Sequence, residues 1–107
     1  MASQWVDVGE ASAVAAGEPF PVEIDGIPVV VVRCGDRYYA VEDRCTHDGE
    51  PLAGAEVDAQ SCEIVCPRHG ARFCLRTGEA LTPPAYEPVR TFTVRVERGR
   101  LAVELPE

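Results

Sequence analysis

Apolar and polar positions alternate in short runs, and no stretch keeps the spacing of a long amphipathic helix. Phe20 to Ile24 predicts a strand, closed by the turn pair Asp25-Gly26. Ile27 to Cys34 follows with a β-branched run, and its Val29 to Val32 is an unbroken apolar stretch, none in the chain being longer. Gly35-Asp36 turns it back into Arg37 to Val41. Near the other end Val89 to Glu97 alternates, with Val89, Thr91 and Thr93 on one face and Phe92, Val94 and Val96 nearer the other. Arg98-Gly99 then leads into Leu101 to Leu105. Glu10 to Ala16 has room for a turn or two of helix before Gly17. Short strands separated by turn residues predict an all-β antiparallel sandwich or barrel.

Residues 43 to 88 break this pattern. Apolar runs are short there, and Gly, Pro, Cys and His accumulate. The expectation is a loop-rich subdomain inserted between strands, held together by something other than hydrophobic burial. The whole chain is 107 residues, one small domain with no room for a second, catalytic one.

Charge narrows the partners. Ten Lys and Arg against 18 Asp and Glu give −8, so the basic stripe that nucleic acid requires is missing. Anionic membrane surfaces are disfavoured for the same reason. A partner with a basic patch is favoured through steering, although acidity also simply keeps a small protein in solution. No stretch approaches the ~20 apolar residues of a membrane span. The start, Met1-Ala2-Ser3-Gln4-Trp5, has neither the basic nor the apolar region of a signal peptide. The expectation is therefore a cytoplasmic protein.

Five cysteines and two histidines remain. An odd cysteine count without an export signal argues against a disulfide framework. Metal is the other reading. Cys45-Thr46-His47-Asp48-Gly49 and Cys66-Pro67-Arg68-His69-Gly70 form C-x-H, then eighteen residues, then C-x2-H. Each half offers one thiolate and one imidazole before a glycine, and together they make a four-ligand set. Both histidines of the chain fall inside the pattern. The same set suits a structural zinc module, for which the C-x-H spacing is unusual. Cys34 and Cys62 read as small buried residues.

The paired boxes resemble the Rieske 2Fe–2S motif, and the chain resembles a bacterial Rieske-type ferredoxin over nearly its whole length. The resemblance is strongest from Arg44 to Pro84, including His69-Gly70-Ala71-Arg72-Phe73 and Arg76-Thr77-Gly78-Glu79-Ala80-Leu81. It implies a Rieske fold, with an antiparallel sandwich base formed by residues 1–42 and 87–107 and a cluster-binding subdomain at 43–86. It also implies that Cys45 and Cys66 hold one iron of a 2Fe–2S cluster and His47 and His69 the other. Pro83-Pro84 would belong to the loop that covers the cluster. Cys74 stands where related ferredoxins commonly carry Asp. The disulfide of the cytochrome bc relatives is missing, because its cysteines would fall at Glu50 and Arg68.

The implied function is one-electron transfer. A flavoprotein reductase would donate, and a terminal oxygenase would accept. With both histidines used, none remains for the mononuclear iron of an oxygenase, so the chain would be a carrier and not a catalyst. It would be a monomer when free. The alternative is an accessory or redox-sensing protein of an iron–sulfur assembly or reductase complex. High-potential relatives carry Ser and Tyr where this chain has Ala71 and Phe73. The expected potential therefore lies near the low end of the Rieske range of about −150 to +300 mV.

Overall fold

The computed structural model describes residues 4–45, 52, 56–58, 60–66, 70–83 and 87–105. Its strands are β1 (Gln4–Glu10), β2 (Phe20–Ile24), β3 (Ile27–Cys34), β4 (Arg37–Glu42), β5 (Glu56–Asp58), β6 (Glu63–Val65), β7 (Arg72–Cys74), β8 (Thr91–Phe92), β9 (Val94–Glu97) and β10 (Arg100–Leu105). They form three sheets, ordered β1-β10-β9, β2-β3-β4-β8 and β5-β6-β7. Every paired strand is antiparallel. The protein is all-β, as the alternation predicts. The helix allowed at Glu10 to Ala16 is a single 3-10 turn, Ala11–Ala13.

Ile24 pairs with Ile27, which leaves Asp25-Gly26 as a two-residue hairpin loop. Both loop residues have positive φ, 55° and 82°, the conformation whose twist matches that of the flanking strands.

The run Val29 to Val32 explains how the layers meet. All four valines are fully buried. Successive side chains on a strand point to opposite faces. Val29 and Val31 accordingly pack with Ala40, Phe92, Leu101, Val103 and Leu105, the core between the two larger sheets. Val30 and Val32 pack with Val41 and with Leu52, Ile64, Phe73 and Leu75. Strand β3 is thus covered on both sides, which is why its sequence does not alternate.

This second core corrects one expectation. The segment after residue 43 does bury apolar surface: Cys45, Leu52, Cys62, Ile64, Cys66, Ala71, Phe73 and Leu75 are each at most 1% exposed. Its apolar residues are scattered between turns, so each looks isolated in sequence, yet they converge on one face of β3 and β4.

The Val89 to Glu97 stretch is also divided. β8 pairs with β4 through Ala40↔Phe92 and Val41↔Thr91, whereas β9 pairs with β10. The chain changes sheets at Thr93, whose carbonyl accepts the Glu104 N–H at 2.9 Å. The change breaks the facial alternation: Phe92 is buried, while Val96 is 49% exposed.

Candidate metal centre

The first ligand box leaves the end of β4. The Glu42 N–H donates to the Arg90 carbonyl at 2.8 Å, and the Asp43 N–H to the Pro28 carbonyl at 2.9 Å. Cys45 follows at once and is fully buried. Nine residues after Asp43 in sequence, the Leu52 N–H donates to the Asp43 carboxylate. One side chain thereby ties both ends of the segment that carries Cys45 and His47. Leu52, also fully buried, anchors the far end in the core shared with Cys45 and Cys66.

The second box is the loop of the β6–β7 hairpin. The last strand pair is Val65↔Arg72. Beyond it the Cys66 N–H donates to the Ala71 carbonyl at 2.7 Å, and the Gly70 N–H returns to the Cys66 carbonyl at 3.0 Å. Gly70 has φ +74°, which a glycine adopts at little steric cost. Cys66 is 1% exposed.

A third segment is bound to this hairpin. The Arg72 N–H donates to the Thr82 hydroxyl at 2.9 Å, and the Leu81 N–H to the Arg72 carbonyl at 2.8 Å. Thr82 therefore sets where the chain runs on into Pro83. Arg72 Nη1 also pairs with Glu63 at 3.0 Å and Asp58 at 3.7 Å, bracing all three strands of the small sheet.

Two of the four expected ligands, Cys45 and Cys66, thus enter one core from adjacent loops. His47 and His69 lie outside the described residues, as does Pro84. The donor chemistry fits a Rieske centre: two buried thiols on tethered loops, each followed within three residues by an imidazole. Asp43 and Thr82 were not found by reading motifs. The only sequence signal for either is a short polar side chain at a loop boundary.

Residues 4–93 match the Rieske [2Fe-2S] domain family. The chain belongs to that family. Its cofactor is accordingly a Rieske-type 2Fe–2S cluster. The chain is 38% identical to the 3-phenylpropionate/cinnamic acid dioxygenase ferredoxin subunit of Escherichia coli K12, over 80% of this chain and 81% of that one. The ferredoxin of carbazole 1,9a-dioxygenase from Nocardioides aromaticivorans IC177 superposes with a TM-score of 0.92 at 36% identity, covering 97% and 99% of the two chains. A ferredoxin in a complex of reduced oxygenase and oxidized ferredoxin of carbazole 1,9a-dioxygenase gives 0.86 at 36% identity, covering 92% and 91%.

The remaining cysteines of this Rieske chain have distinct settings. Cys34 and Cys62 form a disulfide, with Cα atoms 5.9 Å apart. This corrects the reading of both as isolated buried thiols. They are 28 residues apart in sequence, and only the packing of the small sheet on β3 brings them together. Burial pushes the Cys74 thiol up, but the Thr77 hydroxyl and N–H, the Arg76 N–H and the Arg76 charge together bring it below the usual thiol value. Cys74 thus takes donors from the turn that follows it, as an Asp at that position could.

Proposed function

We propose that this chain carries single electrons from a flavoprotein reductase to a terminal oxygenase, with Cys45 and Cys66 on one iron of its cluster and His47 and His69 on the other. The observation that carries the reading is the burial of Cys45 and Cys66 in one core, at the ends of two separately tethered loops, in a chain whose family match spans 4–93. The cluster supplies one-electron storage, and replacing two thiolates by imidazoles raises its potential relative to an all-cysteine cluster.

The protein contributes rigidity and shielding. The Asp43 bond to Leu52 and the Cys66 bond to Ala71 hold the backbone on either side of the two proposed cysteine ligands. Leu52, Ala71 and Phe73, all fully buried, keep water from the thiolate side. In this reading the imidazole ligands are the exit for the electron. The acidic chain, at −8, steers a partner that presents basic residues.

In this reading residues 43–86 form the cluster lobe, and 1–42 with 87–107 form its base. The chain acts in the cytoplasm, is a monomer when free, and catalyses nothing alone. The relatives named as dioxygenase ferredoxin subunits support an oxygenase acceptor.

The test is anaerobic. Reductive titration should consume one electron per chain, and mixing the reduced protein with an oxidised ring-hydroxylating oxygenase should reoxidise it within the enzyme's turnover time. A second electron per chain, or a reduced protein that stays reduced beside every such oxygenase tried, would overturn the proposal.

A further inference from the structure

The Cys34–Cys62 bond joins the base to the sheet that carries the second ligand box. Cys34 ends β3, and Cys62 lies in the turn that leads into β6. The span between them contains Cys45, the Asp43–Leu52 tether and β5. Cys62 is 1% exposed and belongs to the same core as Cys45 and Cys66.

Its backbone is unusual. Cys62 has φ +57°, a left-handed conformation that non-glycine residues hold only when their surroundings impose it. Its carbonyl accepts the Leu75 N–H at 3.0 Å, just after β7. The cross-link and this hydrogen bond therefore fix one residue from two sides. Cys34 is only partly buried whereas Cys62 is almost fully so, which favours Cys34 as the point of attack for an incoming thiolate.

We propose that Cys34–Cys62 is a thiol-exchange site at which a dithiol reductant controls how firmly the small lobe retains its cluster. The first thiolate of the dithiol attacks Cys34 Sγ, forming a mixed disulfide and expelling Cys62 as a thiolate. The second thiol of the reductant displaces Cys34. Two electrons and two protons pass to the cysteines, and the dithiol leaves as a cyclic disulfide. With the bond open, Cys62 can leave the left-handed region, the Leu75 tie loosens, and the β6–β7 hairpin bearing Cys66 opens more often. An oxidising compartment closes the staple, and a strongly reducing one opens it. The proposal rests on the reading that this lobe holds a cluster.

Holoprotein prepared without thiols tests it. After unfolding with a chelator and alkylation, three cysteines should be modified without prior reduction, and all five after it. Dithiothreitol added to the folded protein should raise the rate of iron transfer to a chelator by about tenfold, part of the loop constraint such a cross-link supplies. The Cys34→Ser/Cys62→Ser double variant should release iron at the fast rate from the start and not respond to dithiothreitol. Cys74→Ser should behave as the wild type. Five modified cysteines without reduction, or an unchanged release rate after the bond has demonstrably opened, would overturn the proposal. A preparation with no iron–sulfur absorbance at all would instead overturn the cluster reading on which it rests.

Discussion

Gly78 packs directly against the backbone that leads into β8, and replacing it by Ala should force the two apart. Its φ is +79°, and a Cβ there would lie 2.1 Å from the Val89 carbonyl oxygen and 2.9 Å from Thr91 Cγ2. The same residue donates its N–H to Cys74 at 2.7 Å and accepts that of Val89 at 2.8 Å. The left-handed backbone costs a non-glycine residue about 1–2 kcal/mol. The clash is with main chain that leads directly into β8, so relief requires a backbone shift worth about 1–3 kcal/mol. The sum is about 2–5 kcal/mol, a large share of the 5–15 kcal/mol that stabilises a typical domain. With an unfolding entropy near 2.1 cal/mol/K per residue, the melting temperature should fall by roughly 10–20 °C. Gly99→Ala separates the two contributions. Gly99 has φ +77° and open space around its Cβ position, so it should lose only the conformational part, roughly 5–10 °C. Thermal unfolding followed by far-UV circular dichroism and by visible bleaching gives both values. If Gly78→Ala lost no more than Gly99→Ala, the close packing of Gly78 on Val89 and Thr91 would be refuted.

Three further outcomes follow from named residues. Ser at Cys45 or Cys66 should abolish the visible spectrum, whereas Cys74→Ser should keep it; equal bleaching in all three would show that the ligand assignment is wrong. Ala71→Ser and Phe73→Tyr should each raise the potential by tens of millivolts, because a hydroxyl donor near the cluster sulfurs favours the reduced state; a redox titration followed by EPR with no upward shift in either variant would refute this. The Asp58 carboxyl is held below its usual value first by the Ser61 N–H, with help from Gln60 and Arg72 and against desolvation. A depressed carboxylate stabilises the fold above its unfolded pKa of about 3.9 and loses that contribution as pH falls through the lower folded value, so the melting-temperature gap between wild type and Asp58→Ala should narrow below about pH 4. A gap that widens in acid would contradict the assigned sign.

The strands of the base were legible because each announces itself locally. Phe20–Ile24 and Ile27–Cys34 are bounded by turn residues, and the observed strands match the predicted ones. Strand β1 was missed, because Gln4–Glu10 is half polar and contains Gly9; it is a strand because β10 offers it a partner from Arg100 to Leu105. The bidentate Arg100–Asp7 pair, at 2.7 and 2.9 Å, reinforces that pairing across 93 residues. In the proposed site, the two Cys/His boxes stand out because metal chemistry demands rare residues at close spacing. Neither the Asp43 tether nor the Cys34–Cys62 bond was visible, since both depend on which surface the lobe packs against. The same holds for the lobe's core, whose members are single apolar residues separated by turns. Val96 was misplaced because alternation was carried through Thr93, where the chain changes sheets.

The central claim, a Rieske cluster held by two cysteines and two histidines, is most directly tested by magnetic resonance of the reduced protein labelled with 15N only in histidine. The chain contains just His47 and His69, so every labelled nitrogen belongs to a proposed ligand. Pulsed EPR should show two strongly coupled imidazole nitrogens on the reduced cluster. It should show one in a variant at either histidine that still holds a cluster. A reduced cluster with no coupled histidine nitrogen, or a protein that binds zinc and gives no EPR signal on reduction, would contradict the account.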